Sequence, residues 1–214
     1  MFKTNIYFIA ATGTDLGKTY LVEKILKNIP NAKAVKPIIS GFDFDDPNSD
    51  SAKILKAQNI EFNNSNLEKI SPWRFKDPVS AHFAGEAENS EIDFDDVVKF
   101  CTREIELAKQ GNYPLFIEGA GGVCSPITYE KTFLDLAKSL DVNVLLLGAN
   151  YLGSISHILS AFQCLKVYGV NVEKIIINEE LPNIVPQKND IIKTIENFTK
   201  VDTMLIQNFV AQLN

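Results

Sequence analysis

A glycine-rich segment near the start of the chain constrains the fold more than any other feature. Residues 11–19 read A-T-G-T-D-L-G-K-T, after an apolar run at 6–10. Apolar residues then recur every three to four positions over 21–29, which is the spacing of one face of a helix. The order strand, glycine-rich loop and helix lets successive backbone N–H groups converge on an anion at the positive end of the helix. We therefore predict a phosphate-binding loop.

The end of this loop carries the residues that such chemistry needs. In the motif G-x-x-x-x-G-K-[ST], the lysine reaches the β- and γ-phosphates of a nucleotide and the hydroxyl contacts Mg²⁺. Lys18 and Thr19 stand at these positions, whereas Thr12 replaces the first glycine, so the loop is a variant. The alternative, a turn that only joins strand to helix, has no need of Gly-Lys-Thr. The nucleotide-binding residues predicted here are Gly13, Thr14, Asp15, Leu16, Gly17, Lys18 and Thr19.

Length and composition narrow the class of protein. The 214 residues are 45% hydrophobic and carry a net charge of −6, which predicts one globular domain over 1–214 and argues against nucleic-acid binding. No apolar run approaches the ~20 residues of a membrane span. The first strand follows Met1 too closely for a signal peptide, and the three cysteines have no paired spacing. We expect a cytoplasmic protein without nucleic-acid or membrane partners.

Strands alternate with helices along the rest of the chain. Short apolar runs typical of buried strands occur at 32–35, 115–117, 142–147 and 172–177. Helical spacing occurs at 92–109, 132–140, 155–165 and 191–198. Residues 59–90 are predicted to be irregular with short helical turns, and the last residues to form a short strand or helix. The alternation predicts an α/β fold like that of the P-loop NTPases, with a mainly parallel sheet and helices on both faces.

Polar residues follow several of these strands. Lys36 follows the second strand, Glu118 begins the sequence E-G-A-G-G, and Asn178 follows the strand at 172–177. The carboxyl ends of parallel strands meet at one edge of the sheet, where ligands bind. A carboxylate beside a glycine turn suits a Mg²⁺ contact and a close backbone approach. Lys36 has an ordinary surface lysine as its alternative, and Asp50, which we predict to cap a helix, has that cap as its alternative role.

Together these segments resemble the dethiobiotin synthetases, ATP-dependent cyclo-ligases of biotin synthesis. The resemblance covers nearly the whole chain and rests on several ordered blocks. The blocks are 12–19 (T-G-T-D-L-G-K-T), 36–41 (K-P-I-I-S-G), 48–50 (N-S-D), 77–82 (D-P-V-S-A-H), 118–122 (E-G-A-G-G), Leu152-Gly153 with His157, and Asn178. The resemblance implies that 7,8-diaminopelargonic acid, CO₂ or bicarbonate and ATP react to give dethiobiotin, ADP and phosphate, through a carbamate and its anhydride with phosphoric acid.

The resemblance also implies a role for each matching residue. The implied catalytic residues are Lys18, Lys36 and Thr14, and the implied ligands of Mg²⁺ are Thr19, Asp50 and Glu118. Glu118, Gly121 and Asn178 join the phosphate loop as nucleotide-binding residues, with Asn178 reading the adenine. The implied substrate-binding residues are Ser40, Gly121, Gly122, Leu152, Gly153 and Ser156. A homodimer is implied as well, with the diamine at the subunit boundary near residues 150–157.

Some positions depart from the family pattern. Ala11 stands where the family has glycine, Ala81 where a proline precedes the histidine, and Ser156 where an asparagine is common. They affect the expected substrate geometry and not the reaction class. The family loop that completes the base pocket is not identifiable after Asn178, and 204–208 (M-L-I-Q-N) stand in its place. The sequence therefore predicts only a modest preference for ATP over other triphosphates.

Two other classes of protein remain as alternatives. Partition or septum-site ATPases, which are switch proteins of similar fold, carry a signature lysine five residues before the P-loop lysine, and Gly13 stands there in this chain. The glutamine-dependent cobyrinate and cobyrate amidation enzymes share the E-G-A-G-G turn. They need a second, glutaminase domain, for which 214 residues leave no room.

Overall fold

The computed structural model describes residues 5–179 and 188–213. In chain order, its helices and strands are β1 (Ile6–Ala11), α1 (Lys18–Asn28), β2 (Lys33–Val35), β3 (Ile38–Ser40), α2 (Asp50–Ala57), α3 (Asn64–Ile70), β4 (Trp73–Phe75), α4 (Ala81–Ala87), α5 (Phe94–Gly111), β5 (Leu115–Glu118), α6 (Phe133–Leu140), β6 (Asn143–Ala149), α7 (Ser154–Val167), β7 (Val172–Asn178), α8 (Lys188–Thr199), β8 (Thr203–Leu205) and α9 (Ile206–Ala211).

Six of these strands form one parallel sheet in the order β2-β5-β1-β6-β7-β8. The central strand β1 pairs with β5 on one side, where Ile9 lies opposite Glu118, and with β6 on the other. The chain passes from β1 to β2 in one direction across the sheet and from β5 to β6 in the other. Because such crossovers are right-handed, this reversal puts α1 on one face and α6 and α7 on the opposite face. The predicted fold class is confirmed.

The core follows from strands that are covered on both faces. Residues 7–11 of β1 and 144–149 of β6 are all buried, which is why these strands read as continuous apolar runs without alternation. Helix α1 buries Leu21, Val22 and Ile25 on the face that their spacing predicts. Cys101 is fully buried on α5. No helix in the described part of the chain is long and apolar enough to cross a membrane.

The region predicted to be irregular contains more order than its sequence indicates. Strands β3 and β4 form a separate parallel pair in which Ile38 lies opposite Trp73, and α3 and α4 flank β4. The short helical turns predicted within 59–90 are the helices α3 and α4, but the expectation that the rest is irregular was wrong at β4, because a three-residue strand is too short for a period of two to stand out. The expected cap of α2 was also wrong. Ser49 is the cap and accepts a hydrogen bond from the Ala52 N–H (3.4 Å), while Asp50 is the first helical residue.

The side-chain amide of Gln58 covers the edge of the six-stranded sheet at β2. Strand β2 has β5 on one side only. On its other side the Ala34 N–H donates to Gln58 Oε1 (3.1 Å), and Gln58 Nε2 donates to the Ala34 carbonyl (3.2 Å). One side chain therefore makes the pair of hydrogen bonds that a further strand would make, and both backbone groups of Ala34 are satisfied.

Candidate active site

A cavity of about 770 Å³ opens at the carboxyl ends of the central strands, where the connections diverge to the two sides of the sheet. The predicted site residues that line it are Thr14, Asp15, Gly17, Lys18, Thr19, Lys36, Ser40, Asp50, Glu118 and Gly121. These residues come from four separate parts of the sequence. The fold thus brings the phosphate loop, the 36–41 block, Asp50 of the 48–50 block and the 118–122 turn around one space.

The phosphate loop has an unusual backbone at two positions. Asp15 and Gly17 have φ values of 56° and 95°, in the left-handed region. Gly17 precedes the first residue of α1 and also has no room for a side chain, because a Cβ there would lie 2.6 Å from Nδ2 of Asn178. Glycine is the residue that meets both conditions without strain. Glycine is therefore needed at position 17, the second glycine of the motif, for a steric reason as well as a conformational one.

Lys18 joins the phosphate loop to the second glycine turn. Its Nζ donates to the carbonyl oxygen of Gly13 at 3.2 Å and to that of Gly121 at 2.6 Å. An ammonium group has three N–H donors, so one more remains to reach an anion in the cavity. Burial lowers the pKa of Lys18 from 10.5 to about 8, although the nearby Glu118 carboxylate opposes that shift. The lysine thus lies at the wall of the cavity with its charge poorly solvated.

Lys36 lies between two carboxylates. Its Nζ contacts Asp50 Oδ2 and lies 2.8 Å from Glu118 Oε1, and both Lys36 and Glu118 are buried. Burial pulls the pKa of Lys36 down, but the two carboxylates outweigh it and raise the pKa above its ordinary value. For Asp50, the Lys36 charge outweighs burial and lowers the pKa. Lys36 is therefore a charged group at neutral pH and not a surface lysine.

The donor set around Glu118 suits a magnesium ion. Thr19 Oγ1 donates to Glu118 Oε1 at 2.7 Å, while Glu118 Oε2 is buried and has no hydrogen-bond partner among the described residues. Asp50 lies on the other side of Lys36. Mg²⁺ is usually held by one or two carboxylates together with water and substrate phosphates. Within the described ranges no three His, Cys, Asp or Glu side chains form a cluster of their own, so this set fits an ion that a nucleotide completes.

The second glycine turn packs directly on the phosphate loop. A Cβ at Gly122 would lie 3.3 Å from the Thr12 carbonyl oxygen, and Gly121 has a φ of 67°. Ser125 Oγ accepts a hydrogen bond from the Gly122 N–H at 2.8 Å and so holds the turn from behind. Ser125 and several other lining residues were not predicted as site residues, because nothing in their local sequence marks them for this chemistry; they include Tyr20, Lys53 and Phe133. Val79 and Ser80 also line the cavity, and they belong to the 77–82 block on which the family resemblance rests, although no role was predicted for them.

Some predicted residues lie outside the cavity of this single chain. Leu152, Gly153 and Ser156 are exposed at the start of α7, and 80% of the Leu152 surface is accessible. Gly13, Leu16 and Gly122 belong to the two turns without lining the cavity itself. The structure thus brings the predicted phosphate and metal residues together, and leaves part of the predicted substrate set on a separate surface.

Asn178 lies at the end of β7, behind the phosphate loop. It is buried, and its Nδ2 donates to the Leu16 carbonyl at 2.9 Å. Of the segment 179–182 only Glu179 is described, and Glu180, Leu181 and Pro182 lie outside the described residues. The segment 204–208 forms the junction of β8 and α9, with Leu205 paired to Ile177. That junction is therefore next to Asn178 at the same edge of the sheet.

Comparison with known proteins shows the sequence families to which this chain is similar. The sequence family described as an AAA domain matches residues 5–211. A protein of Caulobacter vibrioides (strain NA1000 / CB15N), named ATP-dependent dethiobiotin synthetase BioD, is 37% identical over 179 residues, which cover 81% of this chain and 80% of that protein. A protein of the same name from Legionella pneumophila (strain Lens) is 31% identical over 208 residues, 97% of this chain and 92% of that protein.

Solved structures of other proteins share the fold at low sequence identity. A ParA family ATPase from Chlorobium tepidum TLS superposes with a TM-score of 0.55 at 15% identity, covering 97% of this chain and 89% of the other. The MinD cell division protein of Aquifex aeolicus gives a TM-score of 0.55 at 11% identity, covering 98% and 85%. At these identities the likeness concerns the fold alone.

Proposed function

The chain belongs to the ATP-dependent dethiobiotin synthetase family, and on that premise we propose how its cavity performs the cyclo-ligase reaction. ATP and 7,8-diaminopelargonic acid are the proposed substrates together with CO₂ or bicarbonate, and dethiobiotin, ADP and phosphate are the products. The alternative function of a partition or septum-site ATPase is disfavoured, since the relatives are named as synthetases and Gly13 replaces the signature lysine.

One observation carries the proposal. Two buried ammonium groups, those of Lys18 and Lys36, lie near Glu118 at the end of the central strands, and Lys36 contacts its carboxylate. A carbamate and the γ-phosphate of ATP are both anions, and they must approach each other closely to react. Phosphoryl transfer depends mostly on positioning and on neutralising charge, so a pair of fixed cations is the catalytic group that such a reaction needs.

In the proposed first steps one amine of the substrate takes up CO₂ as a carbamate. A carbamate oxygen then attacks the γ-phosphorus, and the bond to the β-phosphate oxygen breaks to release ADP. The third N–H of Lys18 faces the γ-phosphate, and that of Lys36 faces the carbamate. Thr14 and Ser40, which line the same cavity, are placed to hydrogen-bond the carbamate or the diamine.

Ring closure follows from proximity. The second amine attacks the carbonyl carbon of the carbamic-phosphoric anhydride, phosphate leaves with the C–O bonding electrons, and the amine loses a proton. Two groups held on one molecule in a fixed orientation react with a large entropic advantage. The Gly121 backbone, whose carbonyl accepts from Lys18, forms the wall against which we place the reacting carbonyl.

We propose Thr19, Asp50 and Glu118 as the residues that hold Mg²⁺. Glu118 Oε2 is a buried oxygen without a hydrogen-bond partner in the described part of the chain, and Thr19 already lies against the same carboxylate. When bound, the ion would neutralise charge on the β- and γ-phosphates. The Lys36 ammonium contacts both Asp50 and Glu118, so the lysine orients the same two carboxylates that we assign to the ion.

We further propose a two-fold dimer in which each subunit supplies Leu152, Gly153 and Ser156 to its neighbour's cavity. The exposure of Leu152 on the ligand-binding edge supports this arrangement, since a long aliphatic substrate needs an apolar wall. Within one chain we propose a single domain over 1–214, because α1 and α9 from opposite ends of the sequence pack together. The three cysteines are free thiols, in keeping with a cytoplasmic location.

The deciding experiment measures release of ADP with and without the diamine and bicarbonate. We expect turnover to require both, because a cavity that excludes water hydrolyses ATP poorly when no acceptor is bound. Formation of dethiobiotin is followed in the same samples by mass spectrometry. Strong ATP hydrolysis that does not respond to the diamine would contradict the proposal and favour a switch ATPase.

A further inference from the structure

The side chain of Asn178 touches the phosphate loop at the peptide that links Leu16 to Gly17. Its Nδ2 donates to the Leu16 carbonyl oxygen at 2.9 Å. The same nitrogen lies 2.6 Å from where a Gly17 Cβ would be. Asn178 itself is buried at the end of β7, a strand held in the sheet on both sides. Strand β7 therefore holds the phosphate loop through Asn178 beside Gly17, whose backbone is left-handed with a φ of 95°.

The geometry of the peptide group gives this contact a consequence for ligand binding. In a trans peptide the C=O and the N–H of the next residue point in opposite directions. No described peptide bond of the chain is cis. Fixing the Leu16 carbonyl towards Asn178 thus directs the Gly17 N–H away from Asn178. Gly17 lines the cavity, and backbone N–H groups of such a loop are the donors that hold phosphate oxygens.

We propose that Asn178 is a positioning residue for the phosphate loop, which sets the affinity for phosphate groups whether or not a base is present. The proposal rests on the proposed function only in taking the ligand to be a nucleotide. It goes beyond the role that family resemblance implies for this residue, which is to contact the adenine. A base contact would affect only ligands that carry a base, whereas an oriented loop affects every ligand that carries the phosphates.

The test uses a ligand without a base. Binding of ADP and of inorganic tripolyphosphate to the full chain is measured by calorimetry at one fixed Mg²⁺ concentration, for the wild type and for Asn178→Ala. We expect both affinities to fall by about tenfold, since a buried hydrogen bond and the loop orientation are lost together. Thermal unfolding is recorded for each protein to show that the variant remains folded.

A matched control removes an asparagine amide at the opposite end of the sheet. Asn143, the first residue of β6, donates to Glu173 at 2.8 Å and accepts from Asn171 at 2.9 Å. Asn143→Ala is expected to lower the unfolding temperature and to leave both affinities within twofold of the wild type. A fall in tripolyphosphate affinity of the same size in this control would show that the effect follows general destabilisation, and would overturn the proposal.

A double-mutant cycle tests the contact itself. Gly17→Ala places a Cβ against Asn178 Nδ2 and also strains the backbone. In the Asn178→Ala background only the strain remains, so the loss of tripolyphosphate affinity caused by Gly17→Ala is expected to be at least threefold smaller. Should the Gly17 variants fail to fold, the single Asn178→Ala measurement still decides.

Three further results would overturn the proposal. The first is a variant in which ADP binds less tightly and tripolyphosphate binds as in the wild type, which would make Asn178 a base contact only. The second is strictly additive behaviour in the cycle. The third is a wild-type protein that does not bind tripolyphosphate. None of these results depends on the diamine, so failure here is distinguishable from failure of the cyclo-ligase assignment.

Discussion

Lys36, which we propose as a catalytic group, also has a structural role. Its ammonium is buried with Glu118, whose side chain is 0% exposed. Taking either charge out of water alone costs several kcal/mol, and the pair is tolerated because each offsets the burial of the other. A substitution at this position therefore changes activity and stability together.

We predict that Lys36→Met lowers kcat by at least about a hundredfold, because a charge aimed at the reacting anions is lost. The same change lowers the free energy of unfolding by about 3 kcal/mol, since Glu118 is left buried without its partner. Steady-state ADP release and denaturant unfolding measure the two effects. A folded variant with a near-normal rate would contradict the proposed catalytic role of Lys36.

The double variant Lys36→Met/Glu118→Gln tests the structural role. It removes both members of the buried ion pair, so we expect much of the lost stability to return, while activity stays low because Glu118 is also a proposed Mg²⁺ ligand. A double variant as unstable as Lys36→Met would show that the unpaired charge of Glu118 is not the cause of the lost stability.

The lowered pKa of Lys18 predicts that the stability of the folded protein depends on pH. Its pKa is about 8 in the folded protein and 10.5 in the absence of burial. Below pH 8 the lysine is charged in both states and the burial penalty is fully present. Between pH 8 and 10.5 the unfolded chain holds the proton more often, so stability rises with pH in that window. We expect the wild type to gain stability relative to Lys18→Met there, measured by denaturant unfolding without nucleotide or added metal, and a constant difference would contradict the prediction.

The sequence predicts site residues where a local pattern carries the chemistry. Lys18 and Thr19 belong to a motif with fixed spacing, and Glu118 precedes a glycine turn. The contact of Lys36 with Asp50 joins positions 14 residues apart, and the tertiary fold, in which α2 packs against α1, brings them together. Ser125 has no motif at all. The place of such residues in the site depends on the tertiary structure, which the periodicity and spacing of the sequence do not reveal.

At the level of elements, the start of α6 is held by a capping box. Thr132 Oγ1 accepts from the Asp135 N–H at 3.4 Å, and Asp135 Oδ2 accepts from the Thr132 N–H at 2.8 Å. The next residue, Phe133, lines the cavity and donates its N–H to the Ser125 carbonyl at 3.1 Å. The cap therefore fixes the segment that leads from the second glycine turn into the helix.

We predict that Thr132→Ala lowers the free energy of unfolding by about 1 kcal/mol, the usual cost of losing a cap. The same substitution at Thr102, which is exposed on α5, is the control and should change it by less than about 0.5 kcal/mol. Burial raises the pKa of Asp135, but hydrogen bonds from Thr132 outweigh it and lower the pKa below 3.8. This contribution is thus present above pH 3.8 and lost as the pH falls through the lowered pKa. Equal costs at Thr132 and Thr102 would contradict the role of the cap.

The junction of β8 and α9 bears on the choice of nucleotide. It lies beside Asn178, but its residues do not match the family loop that completes the base pocket. Selectivity among bases comes from hydrogen bonds to base edges, and a site with few partners loses selectivity while it keeps its grip on the phosphates. We predict that GTP or CTP supports the reaction within about tenfold of ATP in kcat/KM, equal to one contact of ~1.4 kcal/mol. A preference for ATP above a thousandfold in competition assays would refute this.

Long elements were predictable because their apolar spacing repeats several times. The helix over 92–109 and the buried strands of the sheet are examples, with bounds that differ by one or two residues from α5 and β6. Strands β3 and β4 have three residues each and exist through pairing with each other. Nothing in either segment alone indicates the partner, so the pairing that supports Ile39 and Ser40 of β3 in the cavity wall required the structure.

For the molecule as a whole we predict a two-fold dimer with Leu152 in its interface. Light scattering of the active protein is expected to give the mass of two chains, and Leu152→Asp to lower that mass and raise KM for the diamine. Val167 is equally exposed, 80%, at the other end of α7, and Val167→Asp serves as the control that keeps the dimer. The mass of one chain in an active solution would contradict the prediction.

The hydrogen bonds between the side-chain amide of Gln58 and strand β2 limit how molecules of this protein can associate. Parallel strands add one after another wherever a row of backbone groups is open, and two sheets can merge in this way into one continuous sheet. Gln58 already makes both hydrogen bonds that an incoming strand would form with Ala34. Sheet growth at this edge would first have to break them. At β2, association of two copies is thereby directed to side-chain surfaces, and stacking of strands from many copies into fibres is disfavoured.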